Sequence, residues 1–259
     1  MLLRRLWSWR ADLAFWSVWL ALVGAFVALA AWADSTYRLP FDKEPTFWVQ
    51  DLERYAWAGP LFERVNRLGD YEVVAAVLIA SVLVLLARGL RFEALIMAGA
   101  GAMAWVHAGV RAIVERPQDF DGLEAGRIYP GPDGFPSGHV FGQVIVYGLV
   151  FAFIGRVIPF RPVAWAVRAG CVALIALGGP ARVYTSAHWP SDVIGAAMLA
   201  AIYLLLAWRL DRVIAHVRAT GAGDASEAGP HPDGGTTAAD AGTPGASPRV
   251  DAASALRTR

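Results

Sequence analysis

Two things are scarce in this chain, and each scarcity excludes something. Charge is the first: only 17% of the 259 residues are Asp, Glu, Lys or Arg, while 56% are hydrophobic. A soluble domain of this length covers its surface with more charge than that, so the composition points to a membrane protein. Cysteine is the second. The one thiol, Cys171, lies inside an apolar run, which rules out an intrachain disulfide and reads as a small packed side chain. The charge that is present is balanced, 23 basic residues against 22 acidic, for a net of +1. Nucleic acid is therefore not expected as a partner. No internal repeat occurs, and from Arg218 onward there is no aromatic residue.

What the chain does have is long apolar runs. Residues 13–33, "LAFWSVWLALVGAFVALAAWA", carry no charge and are long enough for a spanning helix. Arg4, Arg5 and Arg10 before the run and the "AWA" near its end also suit a signal peptide. The run exceeds the apolar length of such peptides, so an uncleaved helix is expected. Further runs cover 72–87, 93–110, 140–155, 163–181 and 193–208. Several fall short of about 20 residues and must use flanking residues or neighbouring helices to complete a span. The expectation is an all-α membrane protein, a bundle of six transmembrane helices. Small residues in "AGAGAMA" and "GAAMLAA" allow close helix approach.

The basic residues set the orientation. Arg4, Arg5 and Arg10, then Arg88 and Arg91, then Arg156, Arg161 and Arg168, then Arg209, Arg212 and Arg218 all fall on one side of a six-span bundle. The positive-inside rule makes that side, and both termini, cytoplasmic. The opposite side receives 34–71, 111–138 and 182–192. Within the first, "FWVQDLERYAWAGPLFERV" alternates aromatics with charge at helical spacing, as an interfacial helix or as a loop with a short helix. Residues 1–217 form the membrane domain. Residues 218–259, dense in Gly, Ala, Pro and Asp, read as a disordered cytoplasmic tail in which His231 is solvated.

Three polar clusters meet the membrane on the extracytoplasmic side. The first is "GGPARVYTSAHWPSDV", with Arg182, His188 and Asp192 spaced six and then four residues apart. Pro190 suits the first turn of a helix, which puts His188 just before that helix and Asp192 one turn in, favoured by the dipole. A carboxylate there can fix one ring nitrogen of His188 and leave the other as nucleophile or base. Arg182 offers a planar fork for phosphate oxygens. The second cluster is "FPSGHV". Here Ser137 adds a hydroxyl, Gly138 permits close backbone approach, the helix N-terminus favours anions, and His139 supplies a second imidazole. One histidine that attacks and one that donates a proton suit phosphoryl transfer. The third is "RAIVERPQD", with Arg111 and Arg116. A metal held by His139, His188 and Asp192 is disfavoured by the arginines, which would repel a cation. His107, inside an apolar run, reads as a buried hydrogen-bonding group.

These residues resemble the type 2 phosphatidic acid phosphatase superfamily of integral membrane lipid phosphatases. That family carries Lys, six residues, Arg-Pro; then Pro-Ser-Gly-His; then Ser-Arg, five residues, His, three residues, Asp. Pro136, Ser137, Gly138 and His139 give the second motif in full; Arg182, His188 and Asp192 match the third, with Ala181 where Ser is usual. The resemblance covers roughly residues 90–210. It implies a six-helix bundle, catalysis without metal or other cofactor, and a phosphohistidine intermediate. His188 would be the nucleophile, Asp192 its orienting partner and His139 the acid, with Arg182, Ser137 and Gly138 binding phosphate. The first motif departs. With Arg111 at the Lys position, Gln118 and Asp119 replace Arg-Pro; with Arg116 and Pro117 as Arg-Pro, Gly109 replaces Lys. Either register loses one cation, and Arg111 is favoured for the phosphate-binding role.

The expected activity is hydrolysis of a lipid phosphate or pyrophosphate at the outer face of a prokaryotic cytoplasmic membrane. An isoprenyl pyrophosphate, phosphatidate or phosphatidylglycerol phosphate would each serve as substrate. Two other readings fit parts of the pattern. Vanadate-dependent haloperoxidases share the motifs, but not the membrane-spanning helices. A non-catalytic lipid-binding or transport protein would explain the altered first motif.

Overall fold

The computed structural model describes residues 2–116, 123–124, 127–128 and 134–227, with side chains described for 12–116 and 134–218. Eight helices carry the fold: α1 Leu2–Ser35, α2 Lys43–Gln50, α3 Ala58–Leu68, α4 Tyr71–Ala87, α5 Arg91–Ile113, α6 Gly138–Val157, α7 Arg161–Tyr184 and α8 Pro190–Glu227. A 3-10 turn, Asp51–Arg54, follows α2. One antiparallel pairing of two-residue strands sets Leu123 opposite Ile128 and Glu124 opposite Arg127.

Among the described residues, five helices are long and apolar enough to cross a membrane: Asp12–Ser35 of α1, then α5, α6, α7, and Pro190–Arg218 of α8. At 17 residues α4 is about 26 Å long, a little short of a roughly 30 Å hydrocarbon core. Together with α3, from which it is bent by 51°, it makes a broken span or a re-entrant loop. The chain is a multi-pass membrane protein with five spanning helices among the described residues, or six if the bent pair is one span, against the six that its apolar runs predict.

The core is organised around α6, half of whose apolar window is buried. Val140, Phe141, Val144, Ile145, Leu149 and Phe153 line its contacts with the other spans. The α1 helix is peripheral, with 6% of its window buried. It joins the bundle through Phe26, whose ring lies 6.0 Å from that of Phe135, and through Trp19 Nε1, which donates to the Ile202 carbonyl at 3.0 Å. Buried Gln143 of α6 donates to the Val65 carbonyl at 3.0 Å and Tyr147 donates to the Leu68 carbonyl at 2.8 Å. Both bonds hold the C-terminal end of α3 against α6. Close approach requires glycine at two places. A Cβ on Gly178 would lie 2.0 Å from Gln143 Oε1, and one on Gly195 would lie 2.3 Å from the buried Phe135 ring.

The structure decides one reading that the sequence left open and departs from another. The aromatic stretch after Phe47 is not one interfacial helix but the end of α2, the 3-10 turn and α3. Pro60 is the cause: without an N–H it fits the first turn of α3 but not the interior of a longer helix. Residues Ala58, Phe62 and Val65 of α3 are buried with Ala181 of α7. The last helix runs to Glu227, ten residues into the segment expected to be irregular, because its Ala, Arg and Glu residues favour helix enough to carry Gly221 and Gly223. Residues 228–259, including His231, lie outside the described residues.

Gly195→Ala should lower stability by about 1–3 kcal/mol, the cost of overpacking against a ring that cannot move aside. Gly24→Ala meets nothing within 4 Å and should be neutral or gain about 0.5–1 kcal/mol. Unfolding curves of both variants in detergent check the contrast; equal effects would contradict it.

Candidate active site at one end of the bundle

Local sequence explains how each motif is presented. At the start of α6, Ser137 takes the extended N-cap conformation, and its side chain makes no capping bond. Its hydroxyl oxygen is buried without a hydrogen-bond partner among the described residues. Its backbone N–H donates to the Asp192 carbonyl at 3.2 Å, which joins the start of α6 to the first turn of α8. Pro136 offers its carbonyl to His107 Nε2 at 3.0 Å. A carbonyl only accepts, so the His107 proton sits on Nε2, and the ring makes the buried bond expected of it. Gly138 does allow close approach, but to protein: a Cβ would lie 2.0 Å from the Tyr71 hydroxyl.

The α7–α8 corner presents the other motif. Arg182 lies in the last turn of α7. The turn after it includes Ser186 at φ +55°, an unusual value for a side-chain-bearing residue, and Gln50 of α2 donates to the Ser186 hydroxyl at 3.0 Å. Asp192 reaches back one turn, and its Oδ2 accepts the Trp189 backbone N–H at 2.9 Å. That bond satisfies an otherwise orphaned donor at the helix N-terminus. The same oxygen lies 3.5 Å from His188 Nδ1. The pair is close, but His188 Nδ1 is buried without a hydrogen bond.

The two motifs converge. His139 is within electrostatic reach of both Arg182 and His188. His107 is within reach of His188 and of Arg111.

Two residues that sequence reasoning passed over complete the arrangement. Asp70 lies 3.2 Å from His139 Nε2 through Oδ1. It occupies the N-cap position of α4 yet makes no capping bond there. Its carboxylate faces the imidazole, and the Tyr71 ring centroid lies 5.2 Å from that of His139. The sequence signal, an Asp before an apolar run, pointed to a helix start and nothing more. Asp42 is fully buried. It accepts from the Ser191 N–H at 2.8 Å, the Ser191 hydroxyl at 2.8 Å, the Leu39 N–H at 2.9 Å and Arg116 Nη2 at 2.9 Å. Nothing in an acidic interhelical segment distinguishes that carboxylate from its neighbours.

Arg116 is the hub of this network. Its Nε donates to the Tyr37 carbonyl at 2.9 Å, Nη1 to the Ser191 hydroxyl at 2.9 Å and to Asp192 Oδ1, and Nη2 to Asp42. All three guanidinium nitrogens are engaged by protein, and the side chain is 4% exposed. Arg111 is exposed on the last turn of α5. Gln118 and Asp119 lie outside the described residues.

Residues 111–214 match the family model of the PAP2 superfamily. The matched region takes in the start of α6, the α7–α8 corner and both arginines of the altered motif. The fold is similar to the crystal structure of the first transmembrane PAP2 type phosphatidylglycerolphosphate phosphatase from Bacillus subtilis, at 21% identity and a TM-score of 0.58. That match covers 76% of this chain and 96% of the other. No curated protein matches the sequence.

Arg116→Ala would leave Asp42 and Asp192 buried without their cation, and such losses cost about 3–5 kcal/mol. Arg111→Ala, at an exposed position, should change stability by about 0.5 kcal/mol or less. Denaturation of the two purified variants checks this, and a well-folded, stable Arg116→Ala protein would contradict it.

Proposed function

We propose that the chain is a phosphoric-ester hydrolase of the PAP2 superfamily that acts on a lipid phosphate or pyrophosphate through a phosphohistidine. The observation that carries this reading is the meeting of His139, Arg182 and His188 at one end of the bundle, beside buried Ser137. Two imidazoles, a guanidinium and a hydroxyl are the groups that an in-line displacement at phosphorus requires.

His188 attacks phosphorus through Nε2, forming the N–P bond as the bond to the lipid oxygen breaks. Asp192 stands 3.5 Å from Nδ1, a distance that closes to a hydrogen bond as positive charge develops on the ring. His139 gives its proton to the departing lipid oxygen. It then takes a proton from water as that water attacks the phosphohistidine, which releases inorganic phosphate and restores His188. Arg182, the Ser137 hydroxyl and the N-terminus of α6 at Gly138 hold the equatorial oxygens. Arg111, exposed at the rim, supplies a further cation on approach. Arg116 acts through Asp192, because its guanidinium is already committed to carboxylates. The arginines at the other end of the bundle make that end cytoplasmic, so the histidine end faces outward. Phosphatidylglycerol phosphate, named for the similar crystal structure, belongs in the first substrate panel with phosphatidate and isoprenyl pyrophosphate.

His188→Ala should reduce phosphate release by about 10³-fold or more across that panel. Acid-labile labelled phosphate should be trapped on the wild type under rapid quench and not on the variant. Residual turnover near the wild-type level would sink the nucleophile assignment.

Asp70→Asn tests the acid. The Asp70 carboxylate favours the protonated His139 ring, so its removal should make that ring give up its proton more easily. The alkaline limb of kcat/KM should then move to lower pH. An unshifted limb would disconnect Asp70 from proton transfer.

A further inference from the structure

At the opposite end of the bundle, α6 and α7 enclose a cavity of about 310 Å³ lined in part by Gly155, Arg156, Arg161, Trp165 and Arg168. Three guanidinium groups border one hollow, and their partners differ. Arg156 is matched: its two Nη atoms each donate to Asp211 at 2.6 Å, and Nη1 also donates to Glu93 at 2.9 Å. Arg161 and Arg168 form no ion pair among the described residues, so two positive charges converge there without a carboxylate.

Arg168 is held in place before any ligand arrives. Its Nε donates to the Phe151 carbonyl at 3.1 Å. Its guanidinium carbon lies 5.6 Å from the Phe151 ring centroid and 5.0 Å from that of Trp165. Gly155 makes room for it, since a Cβ there would lie 2.7 Å from Nη2. The side-chain entropy of this arginine is already lost, which leaves the outer N–H groups of the fork available at little further cost. The N-terminus of α7 adds to the same field, because Phe160 at its N-cap provides no side-chain cap. A preference for basic residues at one membrane face accounts for the charge. It does not account for an ordered fork laid over a glycine beside a cavity.

We propose that this corner binds the phosphate of an anionic phospholipid drawn from the leaflet opposite the histidine cluster. The chemistry recognised is a phosphate oxyanion gripped by Arg161 and Arg168. The surroundings favour a lipid as its source. Phe160 is 64% and Trp165 57% exposed, and with exposed Val163 they put apolar surface on the first turns of α7, next in sequence to the cavity's arginines, as suits a site beside acyl chains. A cavity near 300 Å³ is at the small end of ligand sites, suited to a headgroup and not to a whole lipid.

The test uses full-length protein in detergent and does not depend on turnover. Phosphatidylglycerol and phosphatidylcholine are added separately, and retention is read by native mass spectrometry together with melting curves. Wild type should retain phosphatidylglycerol in preference. Arg161→Glu, at an exposed position that does not threaten folding, should weaken retention about ten-fold or more, as for loss and reversal of one charge-assisted contact. Arg168→Gln should do the same, and Arg182→Ala at the histidine end should leave retention intact. Inorganic phosphate is the second arm: if it stabilises wild type but not Arg161→Glu and displaces the lipid, free phosphate shares the site and the oxyanion assignment stands. Equal retention of both lipids, insensitivity to Arg161→Glu, or loss in Arg182→Ala alone would overturn the proposal.

Discussion

A guanidinium taken almost wholly out of water must be matched charge for charge and bond for bond, or the fold around it does not close. Arg116 meets that demand with Asp42 on the segment between α1 and α2, and with Ser191 and Asp192 on the first turn of α8. Three segments far apart in the chain are thereby fixed to a common point. The position of Asp192 is what places a carboxylate beside His188. The geometry of the candidate nucleophile is thus inherited from an ion network that does not itself face the substrate. Other buried polar contacts extend the pattern, with Gln143 holding α3 and Gln50 holding the turn after α7. In a bundle whose outer surface meets lipid, apolar burial does little to choose among helix arrangements, and such bonds set the register.

Much of this was legible in the sequence because the informative spacings are local. Six apolar runs predict six spans, and His139, Arg182, His188 and Asp192 each stand near the end of a run, so span parity alone predicts that they share one face. The partners of those residues were not legible. Asp42 is 74 residues from Arg116 and Asp70 is 69 from His139, and neither has a neighbour in sequence that marks it. A lone arginine in an interhelical segment is read as a cation looking for an anion. That the anion is a carboxylate of the same chain appears only when the segment before α2 folds back on α8. The same blindness left the aromatic stretch open between one interfacial helix and a loop with a short helix, because alternating aromatics and the proline at position 60 pull in opposite directions.

The altered first motif takes on a different sense in this light. A cation at the position of Gln118 would add to a region where one arginine is already consumed by structure and another stands at the rim. Under the proposed function, the chain divides between two arginines the tasks of holding Asp192 and of meeting the substrate. That division follows from the partners of Arg116, and it separates what each residue contributes to folding from what it contributes to chemistry.

The backbone bond from Ser137 to the Asp192 carbonyl has a consequence of another kind. It clasps the two motifs together through main-chain atoms, so no side-chain truncation removes it. An alanine scan of the region would score both positions by their side chains alone and would attribute none of the coupling to the clasp. Only a change that deletes the amide hydrogen, such as proline at 137 or an ester in place of the peptide bond, reaches it. The alignment of the two histidines is in this respect protected from most single-base mutations, and drift in the surrounding side chains can proceed without pulling the two halves of the site apart.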